Sequence, residues 1–218
     1  MEEVRLKLKG NDNFLLQEAY KALRTNLQFC GQDIKTIAIT SCNENEGKTT
    51  IALNVAASFA ETGKKVLFID ADMRKSVAVS RHTGSRNLNG LSEVLTGQES
   101  LIRCVYACQY PNLHLLFAGK YPPNPAELLS GKYFSVLLNN SKEVYDYVII
   151  DTPPLGRVID AAVIAANCDG AALVIGSRKT TSREAQNVVA QLNKSGCTIL
   201  GVIRNFISVR AKHYKKYY

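Results

Sequence analysis

The sequence predicts an α/β protein with a doubly wound, mostly parallel sheet, an extra N-terminal helix and a flexible C-terminal tail. Three observations carry that prediction. Short apolar runs rich in β-branched residues recur along the 218 residues, helical patterns fill the gaps between them, and two of the runs end on aspartate. Strands that are hydrophobic without alternation belong in parallel sheets covered on both faces. Strand–helix alternation is how such sheets are built.

In chain order, Phe14–Phe29 places Leu16, Tyr20, Leu23 and Leu27 on one helical stripe ahead of the first strand. Strands are expected at Lys35–Thr40, Lys65–Asp70, Leu113–Phe117, Tyr145–Asp151, Gly170–Gly176 and Thr198–Asn205. Helices are expected over Gly47–Thr62, Asn124–Ser141 with its Asn-Pro start, Asp160–Asn167 and Ser182–Ser195. Val77–Ser92, with Gly84, Gly90 and several hydroxyl residues, reads as loop. Residues 1–205 thus form one domain and 206–218 a basic tail.

Composition removes several classes. With 46% hydrophobic and 21% charged residues the chain is neither disordered nor fibrous. No apolar stretch approaches the roughly 20 residues of a membrane span. The N-terminal MEEVRLKLKG lacks the apolar core of a secretory signal, so a cytoplasmic chain is expected. Six scattered cysteines suggest reduced thiols. Cys104 and Cys108 could share a helical face, but without a second Cys/His pair they read as packing thiols rather than zinc ligands. Of the net charge of +8, five units (Arg204, Arg210, Lys212, Lys215, Lys216) lie in the last fifteen residues. The body, 22 basic residues against 19 acidic, is no nucleic-acid surface, and no nucleic-acid partner is expected.

The first strand runs into SCNENEGKTT and then a helix. Gly47, Lys48 and Thr49 match the end of a P-loop. Backbone N–H groups at a helix N-terminus hold phosphate, the lysine reaches the β- and γ-phosphates, and the hydroxyl binds Mg²⁺. Asn45, Glu46 and Thr50 complete the candidate ATP-binding loop, although Cys42 stands at the first glycine position. Asp151 ends a hydrophobic strand before Thr-Pro-Pro, the place of a carboxylate near Mg²⁺. FIDADMR puts Asp70, Asp72 and Arg74 at the carboxyl edge of a second strand, where open α/β sheets bind ligands. The alternative for Asp70 and Asp72 is that they cap a turn. Asn205 reads equally as an adenine contact or a turn residue. A P-loop NTPase-like fold using ATP and Mg²⁺ follows.

With these motifs together, the sequence resembles the bacterial tyrosine kinases of capsule and exopolysaccharide synthesis from about Phe14 to its end. SCNENEGKTT, FIDADMR, VIIDTPP, GLSEVLTG and the terminal tyrosines carry the resemblance. It implies that Lys48 binds phosphates, that Thr49, Asp72 and Asp151 hold Mg²⁺, and that Asp70 is the base toward an incoming tyrosine hydroxyl, with Arg74 in the same catalytic motif. Tyr214, Tyr217 and Tyr218 look like the family's autophosphorylated cluster, modified in trans. Glu18, Lys21 and Arg24 are similar to its E-x-x-R-x-x-R oligomerisation motif, with Lys21 in place of the first arginine. The resemblance also implies a ring-like homo-oligomer, a separate transmembrane activator that recruits the chain to the inner membrane face, and an opposing tyrosine phosphatase. The rival readings are a ParA/MinD-type ATPase and a catalytically weak nucleotide-dependent scaffold. ParA/MinD proteins carry a signature lysine where this chain has Asn43.

Overall fold

The strands are hydrophobic because both faces of their sheet are covered. The structure, a computed structural model, describes residues 1–8, 10, 13–83, 85 and 88–207. Its elements in chain order are β1 (Glu2–Glu3), α1 (Phe14–Phe29), β2 (Thr36–Ser41), α2 (Lys48–Ala60), β3 (Val66–Asp70), α3 (Ala78–His82), α4 (Leu91–Leu95), α5 (Leu101–Cys104) and β4 (Val105–Ala107). There follow β5 (Leu113–Leu116), α6 (Pro125–Ser130), α7 (Lys132–Val144), β6 (Tyr147–Asp151), α8 (Asp160–Ala165), β7 (Gly170–Gly176), α9 (Ser182–Lys194) and β8 (Ile199–Asn205).

The eight strands form one sheet in the order β1-β4-β5-β3-β6-β2-β7-β8. Every pair is parallel except β4 with β5. Successive strand residues face opposite layers. Ile37, Ile39, Phe68, Ile149 and Val174 pack with Leu27 of α1 and Ile51, Val55 and Phe59 of α2. Ala38, Leu67, Ile69, Ile150 and Leu173 pack with Phe134 and Leu137 of α7, Ile164 of α8 and Leu192 of α9. The chain enters the core at β2, crosses to β3, and later returns through β6, between them, to β7 on the far side of β2. That reversal opens a crevice past the carboxyl ends of β3, β6 and β2, as doubly wound sheets require.

Local chemistry fixes the ends of several elements. Asn13 caps α1 by accepting from the Leu15 N–H at 3.0 Å and the Leu16 N–H. Thr181 and Glu184 form a capping box on α9. Asp169 accepts from the Thr36 N–H and hydroxyl, both at 2.8 Å, and pairs with Lys142 at 2.6 Å, tying α7 to the starts of β2 and β7. At the opposite edge residues 4–7 form a strap. Val4 and Leu6 are buried, the Val4 N–H donates to the Ala107 carbonyl at 2.9 Å, and the Lys7 N–H donates to the His82 carbonyl at 2.6 Å.

Three expectations require correction. Val77–Ser92 is not all loop: Ala78–His82 forms α3, held down by the burial of Ala78 and His82, and Leu91 already opens α4. The helix expected over Asn124–Ser141 is broken at Gly131, whose extended backbone (φ −72°, ψ 157°) separates α6 from α7. Cys104 and Cys108 share no helical face, since Cys104 ends α5 and Cys108 lies beyond β4. Strands β1 and β4 were not expected at all. Among the described residues no helix is long and apolar enough to cross a membrane.

Candidate active site

The crevice gathers the ends of three adjacent strands. β2 delivers the loop before α2, β6 delivers Asp151 and β3 delivers Asp70, with Asp70 and Asp151 opposite each other in register. Gly47 precedes α2 in the left-handed region (φ +89°), and α2 has no side-chain cap. Its first backbone N–H groups therefore point out of the helix with its positive dipole end, an arrangement that suits phosphate. Asn45 is also left-handed (φ +59°), which asparagine tolerates better than most residues.

Lys48 sits between carboxylates. Its Nζ is 3.2 Å from Asp72 Oδ2 and 3.6 Å from Asp151 Oδ1. Burial works against its charge, but Asp151, Asp72 and Asp70 outweigh burial and hold its pKa above the ordinary lysine value. Asp70 is sealed from solvent, and burial followed by the Asp151 charge pushes its carboxyl well above the usual range. The Ser76 hydroxyl donates to Asp70 Oδ2, and the Asp72 N–H donates to Asp70 Oδ1 at 3.1 Å. Burial also raises Asp151, with Lys48 opposing.

The site fits a divalent cation and a polyphosphate. Asp151 Oδ1 is buried with no hydrogen bond and with only the 3.6 Å ion pair to Lys48, a state that a divalent cation would relieve further. Thr49, Asp72 and Asp151 are the residues that would hold Mg²⁺. No three His, Cys, Asp or Glu among the described residues are arranged to hold a metal alone. Phosphate and water oxygens would complete the shell of such an ion, as is usual for Mg²⁺. The cleft, about 140 Å³, is lined by residues including Asn45, Gly47, Lys48, Thr49, Thr50 and Arg157.

Other sequence candidates are placed differently. Glu46 is buried with its side chain turned away from the cleft: it accepts from the Asn43 N–H at 2.8 Å, the Gly176 N–H at 3.3 Å and the Thr180 hydroxyl. Asn205 Nδ2 donates to the Glu46 carbonyl at 2.9 Å, and its Oδ1 accepts from the Phe206 N–H. Asn205 thus buttresses the loop. A Cβ on Gly47 would lie 2.3 Å from that Nδ2. Arg74 lines the cleft and at the same time grips Asp160 through Nε at 2.6 Å and Nη2 at 3.1 Å, and Asp160 is buried. Arg24 reaches into its own subunit, donating to the Ser58 carbonyl at 2.8 Å, while Lys21 pairs with Glu18 at 2.8 Å on the surface. Tyr214, Tyr217 and Tyr218 lie outside the described residues. Sequence reasoning missed Ser76 and Asp160; each acts on a motif residue across a separation that no local pattern marks.

Comparisons with known proteins identify the family. A family model described as an AAA domain matches residues 34–175. Tyrosine-protein kinase CpsD of Streptococcus agalactiae is 39% identical over 201 residues, covering 92% of this chain and 88% of that protein. The chain belongs to the bacterial tyrosine-protein kinases. Tyrosine-protein kinase YwqD of Bacillus subtilis is 42% identical over 195 residues, 88% of this chain and 81% of its own length. The kinase domain of the Escherichia coli tyrosine kinase ETK superposes with a TM-score of 0.83 at 34% identity, covering 89% of this chain and 77% of that one. Within this tyrosine kinase the P-loop, the two aspartates of β3 and its following turn, and Asp151 converge on one crevice, as the motifs imply.

Proposed function

We propose that this tyrosine kinase transfers the γ-phosphoryl group of ATP to tyrosines of its own C-terminal cluster, Tyr214, Tyr217 and Tyr218, on a neighbouring copy. The observation that carries this reading is Lys48 held between Asp72 and Asp151, with Asp70 beside them. Bound Mg²⁺ would neutralise charge on the β- and γ-phosphates. Lys48 and the N–H groups opening α2 would orient the phosphates. Asp70, raised toward the working pH, is suited to take the proton of the acceptor phenol. Gly47 lets the loop approach the phosphates, and Glu46 with Asn205 keeps it in shape.

By the same resemblance the cycle would regulate capsular or extracellular polysaccharide assembly, with a transmembrane activator bringing the chain to the membrane and a phosphatase resetting it. Phosphorylation of three tyrosines adds about −4.5 to −6 charge at pH 7, enough to cancel or reverse the five positive charges of the basic tail and loosen an oligomer. The ParA/MinD-like alternative gains nothing from Asn43. Its Nδ2 donates to Glu184 at 3.0 Å within the same chain, instead of reaching toward a second subunit.

The test is incubation with MgATP beside a Lys48→Met control and mapping of phosphotyrosine by mass spectrometry. Phosphate on the terminal tyrosines that vanishes in the control is expected. ATP binding with no phosphotyrosine, even with an activator segment added, would leave a scaffold.

A further inference from the structure

Beside the nucleotide cleft lies a larger cavity of about 610 Å³ that the motifs do not explain. Val79, Leu88 and Ala118 give it apolar surface, and among the described residues Lys120 is its one cation and no carboxylate lines it. Ser76 and Tyr121 stand at its boundary with the catalytic centre. The Ser76 hydroxyl donates to Asp70, and the Tyr121 hydroxyl donates to the Ser76 carbonyl at 3.1 Å. The segment around α3 is the partition: Val77 and Arg81 line the nucleotide cleft, whereas Val79 and Ser80 line the larger cavity. The far wall is fixed from behind by buried Glu93, which accepts from the Gly90 N–H at 2.8 Å and the Lys120 N–H at 3.2 Å.

We propose that this cavity seats the aromatic residue next to the acceptor tyrosine, and that its occupant is Tyr218 of this chain's C-terminal segment when Tyr217 receives the phosphate. This rests on the kinase reading above. The size is in the range of side-chain and ligand pockets. The apolar floor suits a ring, and the Lys120 ammonium favours an aromatic face over the neighbouring lysines of the segment. The segment can extend beyond its own subunit: the ten steps from Ile207, the last described residue, to Tyr217 span up to about 33–36 Å.

The test compares two peptides of residues 209–218 as acceptors, both with Tyr214→Phe, one with Tyr218→Phe and the other with Tyr218→Ala. The wild-type chain is expected to favour the Tyr218→Phe peptide by about tenfold in kcat/KM. Filling the cavity by Ser80→Trp or, separately, Leu88→Trp is expected to bring that preference within twofold. A damaged fold lowers both rates and leaves their ratio, so the ratio reports the cavity. Equal use of the two peptides by the wild type, or a preference that survives both fillings, overturns the proposal while the kinase reading stands. If neither peptide is phosphorylated even with an activator segment added, the reading of transfer to the C-terminal cluster fails. Fluorescence anisotropy of a labelled peptide with Phe at all three tyrosine positions then reads the cavity alone. Tighter binding to the wild type than to both filled variants supports it, and equal binding overturns it.

Discussion

Asp70 and Asp151 face each other in register across β3 and β6, both sealed from solvent, and only one of them lies in ion-pair range of Lys48. Two carboxyls in one dry site resist ionising together. Burial raises both above the ordinary value of about 3.9. The folded state therefore binds protons that the unfolded chain has released, and stability falls as pH rises from about 4 through the raised values. Thermal melts in EDTA between pH 5 and 8.5 should show Tm dropping toward alkaline pH, and Asp70→Asn should flatten that slope. At this chain length each kcal/mol relieved is worth roughly 2–4 °C. An unchanged slope in the variant would contradict the assignment.

Glu46 holds the loop through three donors, from Asn43, Gly176 and Thr180. Glu46→Ala leaves those donors unpaired in a dry place, a cost of about 1–3 kcal/mol. Glu46→Gln keeps one acceptor oxygen and should cost less. ATP affinity should fall about tenfold in the alanine variant and less in the glutamine variant, as titration calorimetry would show. Equal affinities in all three proteins would mean that the loop holds its shape without Glu46.

Arg74 makes a bidentate contact to a carboxylate that is 1% exposed, although the guanidinium is 43% exposed. Arg74→Ala should destabilise by about 1–3 kcal/mol, less than the 3–5 kcal/mol of a fully buried broken pair. Arg74→Lys cannot form the fork and should fall between. Urea denaturation measures this, and adding Asp160→Asn to Arg74→Ala should restore part of the loss.

Arg24 and Lys21 should separate stability from assembly. Arg24 Nη1 binds Ser58 of the same chain and its Nε is buried. Arg24→Ala is expected to lower unfolding free energy by about 1–3 kcal/mol, visible in denaturation at any protein concentration. Lys21 and Glu18 are surface groups, so Lys21→Ala should change stability by less than about 1 kcal/mol. Sedimentation then shows whether either change alters oligomer size.

The doubly wound sheet was legible because parallel strands and P-loop chemistry write themselves locally. Continuous apolar runs mark β2, β3, β6 and β7, and Gly47-Lys48-Thr49 falls at the junction of a strand and a helix. Partnerships across long separations were not legible. Arg74 meets Asp160 across 86 positions and Glu46 meets Thr180 across 134. Glu46 therefore turned out to brace the loop from behind, and Arg74 lines the cleft while gripping Asp160. The short strands failed for another reason. β1 is two residues long and β4 three, too brief for any periodicity to declare them.

The strap of residues 4–7 ties the N-terminus to the wall between the two cavities. Its backbone bond to His82 pins the end of α3, which divides the nucleotide cleft from the proposed acceptor seat. A protease cutting within the strap, or a fusion partner pulling on Met1, would slacken a wall that also carries Val77 and Arg81 of the nucleotide cleft and whose His82 lies 3.5 Å from the Thr50 hydroxyl. Such a cut would disturb both cavities together, so activity assays on N-terminally tagged protein should be read with the tag's position in mind.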